Sequence, residues 1–377
     1  TWGNWLVGGF YGDADRKYGQ TLLVSGFESV TGIPTAGLAA PRDVLFFSRL
    51  HYKLKQYALF GEATWNVTDR FSLTGGLRYY HFKEDRTQIF DGIFGNDDNG
   101  KLLVSQPGST DANGFAPRVM ASYKASDTTN LNAQVSKGFR LGGINDPLNV
   151  PLCTPSDLVT FGGHKTWKDE TLWNYEVGSK TSFMGGKGSV NLAAYYMDIR
   201  DLQATVTAGT CSSRVVFNVP KARAPGVELE FQAVPNSNFD FAMSASYTDS
   251  TLRSTLTSTD AAGHVTVVSG IQSGNRLPTV PKFQMIAAAT LQAPMFGSWL
   301  GYATATYQYI GSRYTQVGDQ ADGFGTVNLL TFTGTIGGPL TQGTFTFNPL
   351  LPSYQIENLR FGLLNDRWDV ALFVNNI

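Results

Sequence analysis

Four histidines, two cysteines, six glycine pairs and scattered carboxylates are the residues in this chain with chemistry to offer. His51, His81, His164 and His264 are dispersed, and no pair has metal-ligand spacing, so no metal site is expected. The glycine pairs at 8–9, 75–76, 142–143, 162–163, 185–186 and 337–338 open no helix carrying Lys-Ser/Thr, so none reads as a phosphate loop. Gly75–Gly76 reads instead as a site of strand curvature. No Ser-His-Asp constellation stands out. Neither an enzyme nor a bound cofactor is expected.

Composition narrows the class. The chain has 377 residues, with charged residues at 16%, below the usual ~25%, and aromatics at 13%. Lys and Arg number 29 against 30 Asp and Glu, so no basic surface points to nucleic acid. No apolar run approaches the ~18 residues of a membrane helix, which leaves membrane-crossing strands open. The chain opens at Thr1 without a signal peptide and is read as starting and ending inside a longer protein.

The elements come from residues 57–86. Tyr57, Leu59, Gly61, Ala63 and Trp65 alternate with Gln56, Glu62 and Thr64. After a polar turn, Phe71, Leu73, Gly75, Leu77 and Tyr79 alternate with Ser72, Thr74 and Arg78. Period-2 alternation places successive side chains on opposite faces of a strand. About 10 residues at ~3.3 Å, tilted ~45°, cross roughly 23 Å, near the apolar height of an outer-membrane barrel.

The pattern repeats. Short turns near 67–70, 125–128, 184–188, 235–238, 294–297 and 365–367 alternate with long polar stretches. Measured at 68, 127, 186, 236, 295 and 366, the turns lie 59, 59, 50, 59 and 71 residues apart. Thirteen strands are expected, at 2–11, 54–66, 69–84, 115–125, 129–140, 171–183, 187–202, 223–234, 238–252, 281–293, 298–312, 352–364 and 367–377. Long connections, read as extracellular, are expected at 12–53, 85–114, 141–170, 203–222, 253–280 and 313–351. Trp65, Phe71, Tyr123, Phe239, Trp299 and Trp368 flank the short turns, while Tyr79, Tyr80, Tyr196, Tyr247 and Tyr309 sit near the other end, as two interfacial girdles do. Arg78, Arg118, Lys124, Glu176, Lys180, Glu228 and Glu230 share the opposite face and suit a hydrated interior. Cys153 and Cys211 fall in successive connections on one side, which favours a disulfide over free thiols. The expected fold is all-β, an antiparallel transmembrane barrel wall over 1–377.

The segments that carry a family resemblance are YALFGEATWNVTDRFSLTGGLRYYHFKED at 57–85, FAPRVMASYK at 115–124, VSKGFRLGGIN at 135–145 and ETLWNYEVGSK at 170–180. Further ones are VNLAAYYMDIRDLQ at 190–203, APGVELEFQAVP at 224–235, NRLPTVPKF at 275–283 and LPSYQIENLRFGLLNDRWDVALFVNNI at 351–377. In this order they resemble the TonB-dependent outer-membrane receptors, in particular the ferric-siderophore type. The resemblance implies a 22-stranded barrel plugged by an N-terminal domain. The thirteen strands would then be the ninth to the twenty-first. Plug, TonB box and last strand would lie outside these residues.

The implied activity is import of a scarce nutrient into the periplasm, foremost a ferric siderophore, with energy from the TonB-ExbB-ExbD system and the wall set in outer-membrane lipid and lipopolysaccharide. Vitamin B12, haem, thiamine or a glycan are substrates of the same class. A passive porin-type barrel and a soluble β-sandwich or adhesin module are the rivals. An anionic siderophore needs forked cations and aromatic surfaces. The candidates are therefore Arg140, Trp167, Arg214, Arg313 and Tyr314, all at the long-connection end.

Overall fold

A computed structural model describes residues 2–94, 108–211, 213–329 and 343–377. The glycine pair at 337–338 and parts of the 85–114 and 313–351 connections lie outside the described residues. Thirteen long strands pair in strict sequence order, each antiparallel to the next. They are β1 (Gly3–Leu23), β2 (Val44–Asn66), β3 (Phe71–Asp91), β4 (Gly108–Lys124), β5 (Thr129–Arg140), β6 (Glu170–Phe183) and β7 (Gly188–Thr207). The wall continues through β8 (Arg214–Asn236), β9 (Phe239–Thr248), β10 (Phe283–Phe296), β11 (Trp299–Ile310), β12 (Tyr354–Leu364) and β13 (Asp369–Asn375). The two-residue strand Thr251–Leu252 also pairs with β8. Among the described residues no helix is long and apolar enough to cross a membrane.

Strand number and order match the alternation, but several strands overrun their expected bounds at the long-connection end. β1 runs to Leu23 rather than 11, β2 starts at Val44 rather than 54, and β3 runs to Asp91 rather than 84. β8 starts at Arg214 rather than 223. The connection expected at 12–53 is therefore confined to 24–43, and that at 203–222 to 208–213. The ladder explains the overrun. Asp13↔Lys55, Asp15↔Lys53 and Lys17↔His51 continue the β1–β2 register where the face that is apolar lower down has turned polar. Backbone pairing needs only a neighbouring strand, whereas hydrophobic alternation also needs an apolar medium on one side. In the other direction, β9 stops at Thr248 rather than 252, although the Asp249 amide still donates to Pro225 O and Arg223↔Thr251 and Ala222↔Leu252 carry the same register on to 252. At ~3.3 Å per residue the 23-residue β2 is about 75 Å long, far more than a ~25 Å apolar band requires even when tilted.

Cross-strand register carries the two faces across the wall. One row reads Trp65↔Leu73↔Ala121↔Ala133↔Val177↔Ala194↔Val227↔Tyr247↔Phe283 and is apolar from end to end. Trp5, Leu59, Trp65, Val119, Val177 and Val227 on this face are exposed. The opposite face holds Glu62, which accepts from Arg118 at 3.1 Å, and Gln134, which accepts from the same guanidinium at 3.3 Å. Aromatic rings on this polar face lie over glycines of the next strand. A Cβ on Gly114 would meet the Tyr80 hydroxyl at 2.7 Å, and one on Gly362 would strike the Tyr302 ring. Such pairs let a large ring cover a strand that has no side chain of its own there.

The 24–43 connection carries a five-residue helix, α1 (Phe27–Thr31), and is held by carboxylates. Asp43 accepts from the amides of Gly26 and Glu28, both at 2.9 Å. Glu28 accepts from Thr35 N and Oγ1 at 2.8 Å and from Ala36 N at 3.0 Å. These bonds, the Thr35 amide first, hold the Glu28 carboxyl down at about 2. Asp91, fully buried at the end of β3, accepts from Ala39 N at 2.6 Å and Ala40 N at 2.7 Å. Replacing Asp91 with alanine strands two buried donors at ~1–3 kcal/mol each. An Asp91→Ala variant is expected to be cut faster by protease within 24–43 while the wall stays resistant. Unchanged cutting would contradict this anchoring.

Candidate functional site

The long-connection end differs in construction from the wall. On β7 the even-numbered Leu192, Ala194, Tyr196 and Arg200 are exposed and Ile199 is buried, whereas further on Ala204 and Val206 are buried and Thr205 and Thr207 exposed. The change spans Asp201, whose φ is +52°. On β8 it spans Pro220, with Val215, Phe217 and Val219 buried on one side and Ala222 and Ala224 on the other. The two residues sit opposite each other, between the pairs Leu202↔Val219 and Lys221↔Arg200. Proline has no N–H to give the ladder, and a left-handed residue rotates the strand. Together they turn the apolar side chains beyond the break onto the side that bears polar groups lower down.

Those side chains seed a compact core. Phe161 reaches it from α2 (Pro155–Phe161), Leu252, Val268 and Ile271 from the connection after β9, and Val317 from the one after β11. Three connections thus pack on the extended β7–β8 pair as one roof. Burying a side chain of this size is worth ~1.5–3 kcal/mol, so the roof has a stability of its own.

One covalent and three polar tethers fix the roof. Cys153 and Cys211 form a disulfide, with Cα atoms 4.3 Å apart and a sequence separation of 58. Thr154 caps α2 in a capping box with Asp157, whose carboxylate also accepts from Thr210 Oγ1 at 2.6 Å. Burial alone would raise the Asp157 carboxyl, but the bonds from Thr210 and Thr154 outweigh it and hold it down at about 2. The Asn145 carboxamide pairs with the Val216 backbone like a strand, accepting from N at 2.8 Å and donating to O at 3.0 Å. Gln203 Nε2 donates to Leu141 O at 2.8 Å and Lys168 O at 3.1 Å, closing the base of the 141–169 connection.

Between this roof and β3 lies a chamber of about 690 Å³. Arg86, Gln88, Asn145, Leu148, Leu158 and Lys165 are among its lining residues. Arg86 is buried and bridges the two sides. Its Nη1 donates to Ile144 O at 2.6 Å and to Asp146 Oδ1 at 3.1 Å, and its Nη2 to Asn145 O at 2.5 Å. Its guanidinium also lies 5.5 Å from the Tyr52 ring centre, a cation–π distance. Tyr80 adds a second bridge by donating to Asp169 at 3.0 Å while stacking on Phe139.

The five sequence candidates do not form a single cluster. Arg140 is paired with Glu170 at 2.6 Å and donates to Gln203 O at 2.9 Å. Trp167 pairs with Gly143 in a two-residue ladder nearby, and its ring fills the space a Gly143 side chain would take. Arg214 opens β8 opposite Thr207 and is exposed. Arg313 lies over Tyr354 at 5.3 Å, and Tyr314 beneath Arg276 at 5.9 Å, in a separate group at the start of the connection after β11. Arg86 and Gln88 were missed because they follow residue 84, where the strand was expected to end. The signal was present: Tyr80, Phe82, Glu84, Arg86 and Gln88 keep the same parity. Among the described residues no three or more His, Cys, Asp or Glu side chains gather as a metal site would require.

The whole chain, residues 1–377, matches the family TonB dependent receptor-like, beta-barrel. The chain belongs to that family. Among curated relatives, the pesticin receptor of Yersinia pestis is 27% identical over 232 residues, 60% of this chain and 28% of its own length. The pesticin receptor of Yersinia enterocolitica is 26% identical over the same shares. The chain thus spans less than a third of the curated relatives it matches. Among solved structures, the ferric yersiniabactin uptake receptor FyuA of Yersinia pestis superposes with a TM-score of 0.68 at 16% identity, covering 100% of this chain and 46% of that one. The siderophore receptor PiuA of Acinetobacter baumannii gives 0.63 at 14% identity, covering 99% and 48%. At these identities the likeness concerns the fold. The thirteen strands are a TonB-dependent barrel wall.

Two expectations test the roof of this family member. Asn145→Leu should leave the Val216 N–H and C=O unpaired at ~1–3 kcal/mol each, seen as faster hydrogen exchange at 215–217. Exchange equal to the wild type would remove Asn145 as a tether. Asp157 adds an acid dependence. Its folded pKa of about 2 lies below the usual 3.8, so its contribution is complete above roughly pH 4 and fades as pH falls through 2. In a variant lacking both cysteines, α2 should open between pH 4 and 2. An opening equilibrium flat across that window would contradict the assignment.

Proposed function

We propose that the full-length protein is an outer-membrane receptor that binds a ferric siderophore at its long-connection end and imports it to the periplasm with energy from TonB-ExbB-ExbD. The observation that carries this reading is the family match over the whole chain. It is supported by the fold shared with receptors described as taking up ferric yersiniabactin and siderophores. The apolar face with Trp5, Leu59 and Trp65 exposed suits lipid contact, and the polar face with Arg118 and Glu62 suits a wetted interior around a plug. The long connections are then extracellular, and their roof belongs to the ligand-binding mouth.

Ligand contact is proposed for Arg140, Trp167, Arg214, Arg313 and Tyr314. Arg214 is the sharpest case, because its side chain is exposed at the very end of β8. A charge-assisted hydrogen bond is worth ~1.5–3 kcal/mol, so Arg214→Ala should weaken binding of an anionic ferric siderophore by roughly tenfold or more.

The decisive experiment is uptake of radio-iron siderophores by iron-limited cells with and without the gene. Uptake that requires both the gene and TonB supports the reading. Iron uptake unaffected by deletion, with loss of cobalamin, haem, thiamine or glycan uptake instead, would replace the substrate within the same class.

A further inference from the structure

Polar residues, among them Arg86, Gln88, Asn145, Asp146, His164 and Lys165, line part of the chamber under the roof. Arg86 is 4% exposed and Gln88 3%, and both line the chamber. The terminal nitrogens of Arg86 are taken by Ile144 O, Asn145 O and Asp146. Its Nε–H has no partner, and neither does Gln88 Oε1. A buried donor and a buried acceptor therefore stand unpaired two residues apart on one face of β3, with Cα atoms about 7 Å apart. Leaving such groups unpaired is unfavourable, and proteins that keep them supply a partner from a ligand or an ordered water. The same chamber is also lined by the apolar Ile144, Leu148, Leu158 and Phe161.

We propose that Arg86 and Gln88 form a subsite for an uncharged group that accepts one hydrogen bond and donates another, borne on an apolar or aromatic body. A carboxamide is the simplest such group. Its oxygen takes the Arg86 Nε–H, its N–H meets Gln88 Oε1, and its body lies on Leu148 and Leu158. Carboxylates fit worse. One oxygen could accept from Nε–H, but the other would face the lone pairs of Gln88 Oε1, and Asp146 already offers Arg86 a negative partner at 3.1 Å. A cation would meet Arg86 and Lys165 in the same chamber. The subsite rests on reading this end of the protein as the ligand-binding mouth, and it specifies what one part of the ligand looks like.

Benzamide and benzoate, isosteres that differ in this respect, are the probes. Saturation-transfer NMR on the full-length protein in detergent micelles should show benzamide binding, with benzoate at least fivefold weaker. Gln88→Leu should lower the benzamide signal at least fivefold. Equal benzamide signals from both proteins, benzoate binding as well as benzamide, or no benzamide binding would overturn the subsite. If Gln88→Leu does not fold, wild-type crystals soaked in benzamide decide. An amide seated between Arg86 Nε and Gln88 Oε1 supports the proposal, and an ordered water alone there defeats it. Siderophore uptake is scored separately. Intact uptake without benzamide binding removes the subsite and leaves the receptor, whereas benzamide binding without iron uptake removes the siderophore and keeps the subsite.

Discussion

Every part of this molecule answers to one requirement: backbone N–H and C=O groups must find partners. In lipid no water can serve, so a strand that crosses it must be paired on both sides. The chain meets this by laying each strand beside the last, so that β1 to β13 follow sequence order without a crossover. Tight turns at one end and long connections at the other follow directly. The same rule explains why β2 and β3 continue in register up to Phe47↔Asp91, well past the last residue whose alternation is apolar. A ladder stops where the neighbour leaves, and not where the surroundings change.

Outside the ladder the same need is met by side chains. Glu28, Asp91, Asp157 and Asp319 each gather two or more N–H or O–H donors from chain that has no neighbouring strand. Asn145 does this for Val216 with both ends of its amide. Asp157, Asp319 and Asn145, with the core around Phe161 and Val215, turn three connections into a formed roof, while Glu28 and Asp91 order the separate 24–43 connection. A roof built this way presents a preshaped chamber, so for the ligand proposed above less ordering is left to the moment of binding.

The wall was legible in the sequence because its two faces meet different media. Trp65, Leu73, Ala121 and Val177 follow period 2 as strictly as the register that joins them. The resemblance to TonB-dependent receptors, read from the same segments, agrees with the family to which the chain belongs. Strand ends were not legible, since Asp13, Asp15 and Lys17 look like loop residues and pair as strand residues. The core of the roof was hidden as well. Val206 and Val219 follow the parity opposite to Ile199 and Ala222, and only the break at Asp201 and Pro220 reconciles them. Candidate ligand residues chosen by type alone were divided among separate clusters. Side-chain type specifies an interaction, while its location depends on which connections fold together.

The bridge between Cys153 and Cys211 encloses β6, its tight turn and β7 in a covalent ring. In a chain pulled from its two ends, force crosses from one sulfur to the other and bypasses those strands. β6 and β7 would then stay joined as a hairpin after their neighbours had peeled away, and only a reductant could let the pull reach them. The middle of this wall is therefore mechanically its most protected section, a property that belongs to the topology of the chain rather than to the strength of any strand.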